Sequence, residues 1–100
     1  MNTAQIRSYT INDAGYPQLL RQIANPPPVL YYIGAPLTKD ELCLAVVGTR
    51  KISEYGTLVT RHLVEHLSRA GLVIVSGMAL GVDGLAHRAA LAAGGRTIAV

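Results

Sequence analysis

The residues that could do chemistry gather in two stretches, AVVGTR (45–50) and VIVSGMALGVDG (73–84). Each begins apolar and turns to glycines and a hydroxyl, joined in the first by a guanidinium. Gly48, Thr49 and Arg50 offer backbone N–H groups, a hydroxyl and a planar fork that matches phosphate oxygens. Ser76, Gly77 and the amides of Gly81 to Gly84 offer a second set at the start of a helix. The first N–H groups of a helix lack intrahelical partners and carry partial positive charge. Glycine also lets an anion come close to the backbone. A single glycine loop is equally explained by tight turning. Two such loops, each after an apolar run, point to one anion site. The candidate phosphate-binding residues are Gly48, Thr49, Arg50, Ser76, Gly77 and Gly81.

Other chemistry is weakly represented. Gly77-x3-Gly81-x2-Gly84 departs from G-x-G-x-x-G, and there is no G-x-x-x-x-G-K-[ST] loop. No dinucleotide or other cofactor is expected. Asp83 and His87 are spaced i, i+4, which suits an acid/base pair or half a metal site. No further ligand of compatible spacing accompanies them, so no metal is expected. The structural reading is preferred: Asp83 caps the second helix and His87 pairs with it. His62 and His66 share a helix face and read as solvated. Tyr55 is open to two readings, stacking on a base or packing at the start of the first helix. Tyr31 and Tyr32 are expected to pack on the sheet. Arg88 and Arg96 add general positive potential.

The elements that must position these residues follow from periodicity. LCLAVVG (42–48) is a continuous apolar run and reads as a strand buried on both faces. Ser53 is placed to cap a helix over 54–70, with Val59, Leu63 and Leu67 on one face, Val64 beside them, and Gly71 at its end. LVIVS (72–76) reads as a second buried strand. A second helix runs from about Asp83 to Ala93 and stops at Gly94-Gly95, and TIAV (97–100) begins a third strand. Strand, helix, strand, helix, strand with crossovers of this length predicts parallel strands. The fold class is α/β: the β-α-β-α-β half of a Rossmann-like sheet. In such sheets ligands bind beyond the carboxyl ends of the strands, where both glycine turns lie.

Residues 1–41 read as a separate approach segment and 42–100 as a partial Rossmann-like domain. The first segment holds four of the five Tyr and all five Pro. YPQLLRQI (16–23) suits a short helix with Leu19, Leu20 and Ile23 on one side. Pro26-Pro27-Pro28 then enforces an extended path. VLYYIG (29–34) reads as a short strand, and 35–41 as a connector. The third strand has no turn or cap after Val100, which reads as the N-terminal part of a longer protein. A short chain completed by a second copy is the alternative.

One hundred residues, half of them apolar, make at most a single modest domain. The net charge of +3 permits an anionic partner without demanding one. No block of like charges suggests a disordered basic tail. The single Cys43 is expected to be a small buried hydrophobe and suits a reducing cytoplasm. MNTAQIRSYT lacks a signal-peptide core, and no apolar stretch is long enough to span a bilayer. A cytoplasmic protein without membrane contact is expected.

The residues also carry a resemblance. Val47-Gly48-Thr49-Arg50, Ser53, Tyr55-Gly56, Ile74-Val75-Ser76-Gly77-Met78-Ala79, Gly81-Val82-Asp83, Ala86-His87, Ala90-Leu91, Gly94-Gly95 and Thr97 to Val100 resemble the DNA-processing protein A family (DprA, also called Smf). Tyr16-Pro17, Leu20, Ile23, Pro26-Pro27, Leu30-Tyr31 and Gly34 extend the resemblance back to residue 16. It implies a Rossmann-like protein of natural transformation that binds single-stranded DNA, shields it and helps load the RecA recombinase. It implies a homodimer and no catalytic chemistry. On the matching positions, it assigns Arg50, Ser76 and Gly77 to the DNA pocket. Many members carry a basic residue where this chain has Leu80, so the resemblance does not carry one possible phosphate contact over to this position. Further family motifs, including another DNA-contacting stretch and the dimer surface, are expected beyond Val100. The lead function is therefore single-stranded DNA binding in DNA processing. The alternatives are a nucleotide-binding sensor and a nucleotide- or nucleoside-processing enzyme, for which Asp83, Glu54, His87 and Ser76 are the available groups.

Overall fold

In the computed structural model, residues 5–38 and 41–100 are described, and they divide into two compact units, Met1–Asp40 and Glu41–Val100. The first four residues and the Lys39–Asp40 part of the expected connector lie outside the described residues.

The first unit is organised by tyrosine. Strand β1 (Arg7–Thr10) pairs antiparallel with β2 (Val29–Tyr32), with Arg7 opposite Tyr32 and Thr10 opposite Val29. Tyr9 and Tyr32 are diagonal neighbours on one face of this ribbon, and their rings stack with centroids 4.6 Å apart. Gly15 makes room for that stack, because a Cβ there would lie 2.6 Å from the Tyr9 ring. Helix α1 (Gln18–Arg21) is a single turn after Pro17. Its Leu19 and Ile23 flank are exposed rather than a packed face. The anchor is Tyr16, 1% exposed, whose hydroxyl donates to the Pro27 carbonyl at 2.8 Å. The three prolines cannot offer N–H groups, so a carbonyl is what a side chain can grip there. Arg21 sits over the Tyr16 ring at 5.5 Å and donates to the carbonyls of Ile11 and Asp13. Tyr31, expected to pack on a sheet, is exposed, whereas Tyr32 does pack.

The second unit is the α/β half-sheet. Strands β3 (Cys43–Ala45), β4 (Val73–Ser76) and β5 (Thr97–Ala99) run parallel in the order β3-β4-β5. The register sets Leu44 beside Ile74 and Ile74 beside Thr97. Helices α2 (Glu54–Arg69) and α3 (Val82–Ala92) supply the crossovers and pack against each other. Val64, Ile74, Ala86, Ala89 and Ala90 form the core, with Val46 against it. The small side chains of α3 let it lie close to the sheet.

Helix ends follow local rules closely. Ser53 caps α2, its Oγ accepting the Gly56 N–H at 3.0 Å. Both long helices close with a left-handed glycine, Gly71 at φ 99° and Gly94 at φ 77°. In each, the two N–H groups at and after the glycine turn back onto the last helical turn, Gly71 to Ser68 and Leu72 to Leu67, Gly94 to Leu91 and Gly95 to Ala90.

Three expectations are corrected. The run at 42–48 is not buried on both faces: all three residues of β3 are exposed, and the buried strand is β4 beside it. Cys43 is accordingly an exposed thiol. The inner face of α2 centres on Val64 and Ser68, while Leu63 is half exposed. The stripe is selected by close approach, since a Cβ on Gly95 would lie 2.8 Å from that of Ser68. Among the described residues no helix is long and apolar enough to cross a membrane.

Candidate functional site

Both glycine turns leave the carboxyl ends of adjacent parallel strands, and the fold joins them. The Val82 N–H donates to the Thr49 carbonyl at 3.0 Å. Gly81, at φ 81° and ψ −129°, brings its Cα so near the Thr49–Arg50 backbone that a Cβ would collide with the Thr49 carbonyl oxygen. Gly48 is in turn pressed by the Val82 side chain, 2.6 Å from where a Cβ would stand. The two turns therefore share one rim. Their three-way contact demands glycine at 48 and 81 for want of space, and at 81 for backbone conformation too.

The residues at that rim play unequal parts. Thr49 and Arg50 are exposed. The Thr49 Oγ1 accepts the Lys51 N–H at 3.1 Å, which closes a small side-chain turn and leaves Arg50 at its apex. No carboxylate pairs with Arg50 among the described residues. Ser76 is buried, and its hydroxyl donates to the Val46 carbonyl at 2.5 Å, tying β4 to the segment that leads into the first turn. Its proton is thus committed within the fold. Gly77 must be glycine because the Asp83 carboxylate lies behind it, 2.6 Å from a would-be Cβ.

The amides expected at the start of α3 are partly spent. Besides Val82, the Gly84 N–H donates to the Ala79 carbonyl and Leu85 to Gly81. The helix cap is Gly81, with no side-chain capping bond, so Asp83 does not cap the helix. Nor does His87 pair with Asp83. The ring instead bridges outward, Nε2 to the Gly77 carbonyl at 2.8 Å and Nδ1 to the Thr97 Oγ1 at 2.6 Å. The Asp83 Oδ1 is buried without a hydrogen-bond partner. Spacing alone suggested the i, i+4 pair, but the carbonyl of the turn and the hydroxyl of β5 are better-placed partners. Thr97, whose Oγ1 also lies 3.0 Å from the Ile74 carbonyl, was missed because a lone threonine in a strand carries no sequence signal of such a bridge.

Tyr55 is 78% exposed and borders a shallow apolar hollow on α2 with Leu58, Val59, His62 and Leu63. The His62 and His66 rings lie 4.3 Å apart on the solvated side of that helix. Arg96 spends its charge on Glu41 at 3.3 Å rather than adding to a general potential, and Arg88 is exposed. Met78 and Leu80 stand out at the second turn, 78% and 79% exposed. Among the described residues no group of three or more His, Cys, Asp or Glu is placed to hold a metal ion.

Comparison with known proteins gives a consistent set of relatives. Residues 7–100 match the family described as DNA recombination-mediator protein A. Protein Smf of Synechocystis is 42% identical over 95 residues, covering 91% of this chain and 24% of its own length. The DNA processing protein DprA of Bacillus subtilis is 42% identical over 96 residues, covering 95% of this chain and 32% of its own. The X-ray structure of Streptococcus pneumoniae DNA processing protein A superposes with a TM-score of 0.86 at 42% identity, covering 96% of this chain and 34% of that one. The solved structure of DNA processing protein A from Helicobacter pylori, described for its single-stranded DNA binding mode, gives a TM-score of 0.78 at 37% identity over 95% of this chain and 41% of that one. The chain thus spans between about a quarter and two fifths of the relatives' length.

Proposed function

The chain belongs to the DNA recombination-mediator protein A family, and we propose that its two glycine turns bind the phosphates of single-stranded DNA. The observation that carries the reading is the joined rim: Val82 bonded to Thr49, with Arg50 exposed beside it and free of any carboxylate among the described residues. A guanidinium without a carboxylate partner among the described residues, placed where a parallel sheet presents its strand ends, is suited to an external anion. Gly48, Thr49, Gly77 and Gly81 shape the cradle, and Ser76 holds the two strand ends together. Phosphate contacts carry no base information, so little sequence preference is expected. Exposed Tyr55 is available to stack on a base. Within the full-length protein, the same reading extends to a cytoplasmic homodimer. It would shelter single-stranded DNA and pass it to the RecA recombinase, without catalysing a reaction.

The test is titration of a labelled oligothymidylate into the chain and into Arg50→Ala. Arg50→Ala should weaken binding by about 1.5–3 kcal/mol, the worth of a hydrogen bond to a charged group. It should also reduce the salt slope by about 0.7 for each phosphate released. Equal affinity of the two proteins removes Arg50 from the site. Tighter binding of a mononucleotide than of the oligomer would favour a nucleotide sensor instead.

A further inference from the structure

We propose that the backbone N–H of Met78 is an anion-binding donor, aimed at a phosphate oxygen by His87 acting as a positioning residue. The proposal rests on the phosphate-binding reading above and adds a contact and a cause to it.

The argument begins with the Gly77 carbonyl. It lies 2.8 Å from His87 Nε2, and a carbonyl only accepts, so Nε2 carries the proton and donates. In that tautomer the opposite ring nitrogen accepts from the Thr97 Oγ1 at 2.6 Å, so the hydroxyl's one proton goes to the ring rather than to the Ile74 carbonyl 3.0 Å away. The imidazole is thus pinned between β5 and the turn, and it draws the Gly77 carbonyl toward α3. A trans peptide is planar, and the N–H of the next residue points opposite to the carbonyl. No peptide bond here is cis. The Met78 N–H must therefore face away from α3.

Two further observations agree. The hydrogen bonds among the described residues take the Val82 and Gly84 amides but not that of Met78, whose residue is 78% exposed. Asp83, on the α3 side, presses its carboxylate against Gly77. An anion approaching from α3 would meet that charge. An anion approaching from the other side would meet the Met78 N–H. The side chain of Met78 has no part in this contact.

The experiment combines amide chemical shifts with titrations of the chain and its variants against oligothymidylate. On binding, the Met78 amide should move downfield. His87→Ala should weaken binding about tenfold, on the scale of one hydrogen bond to a charged group, and remove most of the Met78 shift. It should leave the salt slope unchanged, because a neutral N–H releases no counterion. His87→Gln, whose amide can donate to the Gly77 carbonyl, should restore most of the affinity. A still Met78 amide in a protein whose binding depends on Arg50 overturns the proposal. So does a His87→Ala variant that binds normally, or one whose salt slope falls as Arg50→Ala's should, which would make His87 itself the phosphate contact. If the parent chain binds no oligonucleotide, or Arg50→Ala matches it, the phosphate reading fails first and takes this proposal with it.

Discussion

Replacing Gly81 by alanine tests the junction on which the site depends. At φ 81° and ψ −129° the residue occupies backbone space that L side chains rarely adopt. Forcing a non-glycine residue there costs about 1–3 kcal/mol. The added methyl would also collide with the Thr49 carbonyl oxygen and lie 2.6 Å from that of Arg50. These are backbone atoms, which cannot swing aside as a long side chain would. Overpacking of this kind adds about 1–3 kcal/mol. The sum is about 2–6 kcal/mol, a large part of the 5–15 kcal/mol that holds a small domain folded. With about 4–8 °C per kcal/mol for a domain of this size, Tm should drop by at least about 8 °C in thermal unfolding followed by circular dichroism. Gly84→Ala is the matched control. A Cβ there meets only the tip of Arg88 at 3.3 Å and the Ala79 carbonyl at 3.4 Å, and the position is helical. It should be neutral or slightly stabilising, because alanine loses less entropy than glycine in a helix. If Gly81→Ala melts within about 2 °C of the parent, on the same scale, the two turns are not joined as described, and the shared rim is lost.

Two other outcomes follow from particular contacts. Ser53→Ala removes the acceptor for the Gly56 N–H and should cost about 1 kcal/mol, read as a Tm decrease in the same assay, with Ser53→Asp largely restoring it. The Tyr9 phenol is held above its ordinary value of 10.0, first by its hydrogen bond to Tyr32 and then by burial and the neighbouring phenol. Its contribution to the β1–β2 pair is complete below the ordinary tyrosine range and is lost as pH rises through the folded value. Tyrosinate absorbance should therefore show one late-titrating phenol, and Tyr32→Phe should return it toward the ordinary range.

Much of the fold is legible because its signals are local. A capping serine, two helix-ending glycines and apolar runs of strand length depend on a few neighbouring residues, and Ser53, Gly71 and Gly94 stand where those rules put them. The β-α-β-α-β order needs nothing more, and the parallel sheet follows from the crossover lengths. The α2 stripe was harder to choose, because two adjacent helical stripes both carry apolar residues. The contact between Ser68 and Gly95 decides between them. Strand β1 was overlooked because Arg7–Thr10 is short and polar and becomes a strand only through its pairing with β2.

The candidate site divides in the same way. Composition and spacing alone marked Gly48 to Arg50 and Ser76 to Gly81, since glycines and an arginine after apolar runs are visible in one dimension. Tertiary structure decided which of their groups remain for a ligand. It committed the Ser76 hydroxyl to Val46 and the Val82 amide to Thr49, and it turned His87 from Asp83 to Gly77 and Thr97. Residue type states what a group is able to donate or accept. Only the packing of β4, α3 and β5 determines whether a partner within the chain has already taken it.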